Sequence, residues 1–323
     1  MSFAPLVSVV IPAYNSAPFI AETLNSVFAQ TYQAREVLVV NDGSPDTPAL
    51  ELALAPYRDR IVYLRQRNTG PSGARNLAIR HARGEYVALL DSDDMWLPDY
   101  LERQVERLHR EPGLDLIYAD GVITGGPLDG RRLMAVTPSK RSVTVERLIA
   151  EECTVLTSCT VARRAALLGA GLFDDRFRRS EDAHLWLKLA LNGGRIAWQP
   201  TVLVRHRRRE GSLSHDTPAM VRAYIDVLVD IDARFTLTSA QRTLLRRQIS
   251  RREALVALDE GKQAFVAGRY PEAVAALGRA RSAEPGLARQ LRFGALQLGV
   301  RIAPRLLHRA YTALHSPAVA VLH

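Results

Sequence analysis

Over the first 120 residues, short apolar runs rich in β-branched side chains alternate with amphipathic stretches, the pattern of β-α units around a parallel sheet. Strands are predicted at Val7–Ile11, Glu36–Val40, Ile61–Leu64 and Glu85–Leu90, with helices between them at about 17–29, 47–56 and 72–83. Gly70-Pro71-Ser72 opens the third of these helices, and Gly84 lies just past its end. A helix at 98–110 precedes a fifth strand at Asp115–Tyr118, and Gly121–Arg132 reads as a hairpin or loop excursion. A helix near Arg163–Leu168 follows, then the turn Gly169–Asp174 and a helix over Glu181–Leu191 ended by Asn192-Gly193-Gly194. Strands at Arg195–Trp198 and Val202–His206 close this region, and beyond Asp216 the pattern is helical throughout.

In open parallel sheets ligands bind beyond the carboxyl ends of the strands, so the residues after each run should share one rim. Here those exits are polar: Pro12-Ala13-Tyr14-Asn15, Asn41-Asp42-Gly43-Ser44, Arg65 to Asn68, and Asp91-Ser92-Asp93-Asp94. Carboxylates at the end of a buried strand need something cationic or hydrogen-bonding opposite them. Asp91 and Asp93 are hard oxygen ligands two residues apart, a pattern that suits Mg2+ or Mn2+ holding a diphosphate. A simpler reading has Asp93 or Asp94 capping the helix that starts near Trp96-Leu97-Pro98.

With 323 residues and 47% apolar composition, the chain can hold one large α/β domain and a smaller appendage. Cys153 and Cys159 show neither metal-ligand spacing nor a disulfide framework, which points to a reducing, cytoplasmic setting. No secretory signal or transmembrane run is expected. Residues 240–323 hold 14 basic and 5 acidic side chains, so the entire net charge of +9 resides there. Such a tail predicts peripheral attraction to an anionic membrane surface or a polyanionic acceptor. Nucleic acid is not the expected partner, because no helix-turn-helix, zinc-finger or aromatic stacking motif accompanies the arginines. The 261–285 stretch resembles a single tetratricopeptide-type hairpin, and one copy predicts a plain helical hairpin packed on its neighbours. Arg301, Arg305 and Arg309 recur every fourth residue and should line one helix face, interfacial or solvated, with Pro304 kinking or breaking the segment.

The four exits, with Asn68-x-Gly70-x-x-Gly73-Ala74-Arg75-Asn76 as the third and Ser180-Glu181-Asp182 plus Trp186 as a further motif, resemble family 2 glycosyltransferases of the GT-A fold over roughly residues 6–215. Asn41 stands where many members carry aspartate. The resemblance implies a GT-A catalytic domain over 1–215, divided into a nucleotide-sugar-binding half (1–120) and an acceptor-binding half (121–215), followed by a helical, basic extension over 216–323. Its central sheet should be mostly parallel and flanked by helices. By the same resemblance Pro12, Ala13, Tyr14, Asn15, Asp42 and Asn68 frame the nucleoside, with Asp42 accepting from the base. Gly73, Arg75, Asp91, Ser92 and Asp93 complete the donor site, Arg75 near the sugar and phosphates. Asp93 is the implied direct metal ligand, and Asp91 is shared between ribose and metal. From the residues alone, Arg75 reads first as an exposed residue on the helix at 72–83, and Gly70 and Gly73 as turn and packing glycines.

Transfer needs a base for the acceptor hydroxyl, and Asp182 is the candidate. It falls in the first turn of the Glu181–Leu191 helix, whose positive end favours an ionised carboxylate. Stability of the helix start is the alternative explanation of the same acid. One base with direct displacement predicts inversion at the anomeric carbon. Glu181 and Trp186 are expected at the acceptor, and Trp186 and Trp96 offer sugar-stacking faces or buried packing. Arg205-His206 and Ser212-Leu213-Ser214 look like the loop that closes over donor phosphates, with His206 contacting phosphate or completing a metal shell. A nicotinamide-dependent oxidoreductase would need glycines after the first strand, where this chain has none. A sugar-phosphate nucleotidyltransferase would need a glycine-rich basic loop there. An inactive nucleotide-binding scaffold working through its helical tail is the remaining alternative. The expected activity is inverting, metal-dependent transfer of a hexosyl or N-acetylhexosaminyl group from a nucleotide sugar, most simply UDP-linked. The expected acceptor is a hydroxyl of a cell-surface glycan or lipid-linked intermediate.

Overall fold

Val7, Val9, Val10 and Ile11 are wholly buried, which places β1 (Val7–Ala13) inside the sheet with both faces covered. The computed structural model describes residues 4–137, 139–140, 142–209 and 217–314. The chain divides into two compact units, Met1–His215 with Ala233–Thr236, and Asp216–Asp232 with Leu237–His323.

In the first unit the chain runs from β1 through α1 (Ile20–Phe28), β2 (Arg35–Asp42), α2 (Thr47–Leu54), β3 (Val62–Gln66) and α3 (Gly70–His81) to β4 (Tyr86–Leu89). Then come β5 (Met95–Trp96), α4 (Tyr100–Arg110), β6 (Leu116–Thr124), α5 (Leu133–Val136), α6 (Val145–Ile149), β7 (Thr160–Arg163), α7 (Arg164–Gly169), α8 (Glu181–Leu191) and β8 (Ile196–Arg207). The eight strands form one sheet in the order β3-β2-β1-β4-β7-β6-β8-β5. Its first four are parallel neighbours, so their carboxyl ends share one rim. β7 then runs antiparallel to both β4 and β6. β8 is parallel to β6, and β5 antiparallel to β8.

Two strands escape the sequence pattern, β5 and β7, because two and four residues are too few to show a period. The hairpin or loop expected over Gly121–Arg132 is corrected in part, since β6 continues to Thr124. Gly121 permits this: a Cβ there would sit 2.8 Å from the Val204 carbonyl oxygen and 2.7 Å from Leu133 Cδ1. The two strands expected at 195–198 and 202–206 are one strand, β8, whose pairing with β6 shifts register on either side of Asp120. That irregularity accommodates Pro200, which cannot donate to the ladder.

The second unit is built from α9 (Thr217–Arg234, which runs two residues into the first unit), α10 (Ser239–Val266), α11 (Tyr270–Ala283), α12 (Leu287–Ile302) and α13 (Pro304–Leu314). Thr238 and Gln241 form a reciprocal capping box at the start of α10. Gly268, at φ 73°, makes the α10–α11 turn. Small side chains let these helices approach, in one cluster of Ala254, Ala257, Ala280 and Phe293 and another of Ala264, Ala273, Leu277 and Val300. Pro304 breaks the chain at Ala303, so Arg301 sits on a different helix from Arg305 and Arg309; the single arginine-lined face is corrected. Among the described residues no helix is long and apolar enough to cross a membrane.

Candidate active site

At the end of β4 the chain leaves the core at Leu90 and turns sharply, with the Asp94 N–H donating to the Asp91 carbonyl over 3.1 Å. The Thr23 hydroxyl lies 3.0 and 2.8 Å from the carbonyls of Ser92 and Asp94, and Ser92 is buried. This turn sends three carboxylates in three directions. Asp94 points inward, accepting from the Arg207 N–H at 2.7 Å and lying 3.0 Å from His206 Nδ1. Asp91 faces Arg75, whose Nη2 donates to Oδ1 over 2.6 Å. Asp93 accepts from Arg209 Nε, also at 2.6 Å.

The residues expected around the nucleoside lie at the neighbouring exits. Asp42 accepts from the Thr69 N–H at 3.0 Å and Gln66 Nε2 at 2.7 Å on one oxygen, and from the Gly70 N–H at 2.8 Å on the other. It therefore anchors the N-terminus of α3, a duty the sequence reading did not foresee. Asn15, at φ 49°, donates its N–H to Ser44 Oγ over 2.8 Å, joining the first exit to the second. Asn68 is exposed, and its backbone packs on Gly43, where a Cβ would come within 2.7 Å of the Asn68 nitrogen. Pro12 is half-buried and Ala13 buried, while Tyr14 keeps 45% of its surface at the rim. Gly73 leaves space for Thr69, whose hydroxyl would lie 2.1 Å from any Cβ at that position.

Arg75 joins the two sides of the site. It is buried, not the exposed helical residue of the simpler reading, and bridges Asp91 on one side and Glu181 Oε1, at 2.7 Å, on the other. Burial opposes its charge, and the two carboxylates outweigh that cost. Next to Glu181, Asp182 keeps part of its surface open, with Oδ1 accepting from the Ala183 N–H at 2.7 Å and Oδ2 3.3 Å from the Thr157 hydroxyl. Burial first, and then the charge of Glu181, push its carboxyl up to about 7, with Asp91 contributing in the same direction. The helix end and Arg75 favour the ionised form, while desolvation and the adjacent acid oppose it.

Trp186 is 2% exposed and donates its indole N–H to the Val155 carbonyl at 3.0 Å, so its expected place as an acceptor-stacking ring is corrected. Trp96 is also buried, stacks on Tyr100 and donates to the Ser158 carbonyl at 2.8 Å. Together the indoles clamp residues 155–158. That segment carries Thr157, which reaches Asp182, and Ser158, whose Oγ accepts the Asp91 N–H at 3.1 Å. Sequence reasoning passed over Thr23, Thr157, Ser158, Arg207 and Arg209; the only signal was the polar triplet Thr157-Ser158-Cys159 ahead of β7.

Burial, Asp94 and Asp91 raise the Asp93 carboxyl against the pull of Arg209. Asp91 and Asp93 expose 34% and 15% of their side chains, and both are hard oxygen donors, so the set fits a divalent cation, with the Arg209 guanidinium standing as a cation on Asp93. Burial works to lower the His206 imidazole, yet Asp94, Asp91 and Asp93 hold it up at about 8. Its Nδ1 faces Asp94, which orients the ring beside the turn. Ser212, Leu213 and Ser214, expected in the loop over the phosphates, lie outside the described residues.

The profile of glycosyl transferase family 2 matches residues 8–168. Succinoglycan biosynthesis protein ExoO of Rhizobium meliloti is 33% identical over 94% of this chain and 89% of its own length. The Escherichia coli enzyme named UDP-Glc:alpha-D-GlcNAc-diphosphoundecaprenol beta-1,3-glucosyltransferase WfgD is 29% identical over 70% of this chain and 86% of its own. Among solved structures, S. aureus TarS 1-349 in complex with UDP-GlcNAc superposes with a TM-score of 0.63 at 22% identity, covering 96% of this chain and 91% of that one. Mannosyltransferase PcManGT of Pyrobaculum calidifontis, in complex with GDP-Man and Mn2+, gives 0.61 at 23% identity over 98% and 87%. The fold is therefore that of the GT-A enzymes, and the chain belongs to glycosyltransferase family 2.

Proposed function

We propose that this glycosyltransferase moves a sugar from a nucleotide donor, UDP-linked, to a hydroxyl of a cell-surface glycan or lipid-linked acceptor, with inversion at the anomeric carbon. The observation that carries the proposal is the continuous ionic bridge from the β4 turn through Arg75 to Glu181, with Asp182 beside it. Donor-side acids and a protein base thus share one electrostatic cluster. The relatives named for succinoglycan biosynthesis and for a diphosphoundecaprenol acceptor favour envelope glycans as products. The UDP-GlcNAc and Mn2+ of the two solved structures favour a nucleotide sugar and a metal.

On this reading Tyr14, Asn15, Asp42 and Asn68 surround the nucleoside, with Pro12 and Ala13 shaping the floor. Asp93 and Asp91 hold a divalent cation, which supplies charge neutralisation for the departing diphosphate. His206, protonated near neutrality, donates to phosphate oxygens. Asp182, with its carboxyl near 7, is ionised often enough at physiological pH to take the acceptor proton and basic enough to want it. Glu181 neutralises Arg75 and orients it. The basic helical extension holds the enzyme peripherally at the inner face of the membrane, near its acceptor. A screen of nucleotide sugars with mass detection of released nucleotide, with and without Mn2+, tests the reading. Release from one donor class that depends on acceptor and metal is expected, and tight nucleotide binding without turnover would favour a scaffold.

A further inference from the structure

α12 has two faces of different character. Phe293 and Val300, seven residues apart, are buried in the small clusters against α11 and α10. On the opposite side Leu287, Leu291, Ala295, Leu298 and Ile302 follow one another at intervals of four, four, three and four, which places them on one helix face. The four large ones are 72%, 65%, 56% and 71% exposed, and Leu306 at the start of α13 is 71% exposed. A helix docked on a domain by one face ordinarily carries polar residues on the other.

Charge indicates what this face meets. From residue 285 to 323 the chain contains five arginines, at 289, 292, 301, 305 and 309, and no aspartate or glutamate. By the helical rotation per residue, Arg292 and Arg301 lie at the two borders of the leucine stripe, and both are exposed. An apolar strip with cationic borders complements a layer that is apolar beneath and anionic above. A second copy of the chain would set the same cationic borders against each other. Nucleic acid would satisfy the arginines and leave the leucines in water.

We propose that α12 is an interfacial docking helix for an anionic bilayer. Leu287, Leu291, Leu298 and Ile302 enter below the headgroups, and Arg292 and Arg301 contact the lipid phosphates. This deepens the membrane part of the reading above and is independent of the transfer chemistry, because binding is measured without donor or acceptor.

The test is sedimentation of the full chain with phosphatidylcholine vesicles, with and without phosphatidylglycerol. Binding only to the anionic vesicles, weakening as salt rises, is expected. The double variant Leu291→Gln/Leu298→Gln should lose about tenfold or more in vesicle affinity. Its circular dichroism, melting temperature and nucleotide release should stay unchanged. Arg292→Gln/Arg301→Gln should bind several-fold more weakly and with less dependence on salt. An environment-sensitive fluorophore at Leu298→Cys should shift to the blue on anionic vesicles, a readout independent of how the double variants fold. Equal binding to neutral vesicles, undiminished binding by the leucine variant, or no shift from the label would overturn the proposal. So would a dimer of the native chain that the leucine variant dissolves in analytical ultracentrifugation, since the stripe would then be covered by a second copy.

Discussion

The two halves of the sheet meet at β4 and hold their polar residues by different means. In the half formed by β3, β2, β1 and β4, neighbouring exits support one another through backbone groups, as when Asp42 accepts from the Thr69 and Gly70 N–H groups and Ser44 from Asn15. At the turn after β4, where the other half begins, groups distant in sequence converge instead: the Arg75 and Arg209 side chains on Asp91 and Asp93, the Arg207 N–H on Asp94, and Ser158 Oγ on the Asp91 N–H. The first arrangement follows from adjacent parallel strands. The second depends on charge balance, and it is the one that should respond to pH and to substitution.

The largest separation of the two halves should come from Asp182→Asn. Transfer should fall by about a thousandfold, the scale of a lost general base, while calorimetric donor affinity stays within about threefold. In the native enzyme the turnover rate should drop as pH falls through about 7, because Asp182 can accept a proton only in its ionised form. The residual rate of the asparagine variant should lack that limb, and an unchanged pH profile would place the base elsewhere. Asp93→Ala acts at the turn itself; metal-dependent turnover should fall by about a hundredfold, together with loss of Mn2+ binding read by electron paramagnetic resonance.

Trp186→Phe keeps an aromatic ring but strips the Val155 carbonyl of its donor, for a cost of about 1–2 kcal/mol. Melting should move down by about 2–5 °C, with a turnover loss larger than any change in donor affinity if the 155–158 clamp positions Thr157 and Asp182. The smallest effect has the opposite sign. Arg209→Gln removes the cation that sits on Asp93 and should tighten Mn2+ binding, measured without nucleotide, by about twofold to fivefold. Weaker Mn2+ binding in that variant would show that Arg209 supports the acids instead of competing for them.

Much of the polar rim was legible because it is written in consecutive residues. Asn41-Asp42-Gly43-Ser44 and Asp91-Ser92-Asp93-Asp94 each follow a buried run, and the strand ends carry them to a common rim. Asp182 was legible as an acid at a helix start, a position that argues for ionisation; the burial and the Glu181 charge that raise its carboxyl come from the fold. Of the two readings open for Trp186, sugar stacking and buried packing, the fold takes the second, and only its neighbours decide between them. The short strands β5 and β7 left too little pattern to read, although β7 is the strand that turns the sheet antiparallel.

The sequence by itself determined the β-α alternation, the order of polar exits and the concentration of positive charge in residues 240–323, because periodicity and composition are properties of local stretches. Tertiary structure alone decided that Arg75 bridges Asp91 and Glu181, that Asp182 holds its proton to about 7, and that α12 turns its leucines outward. Each of those outcomes depends on which distant groups exclude water or supply charge at a given atom, and that becomes definite only when the chain has folded.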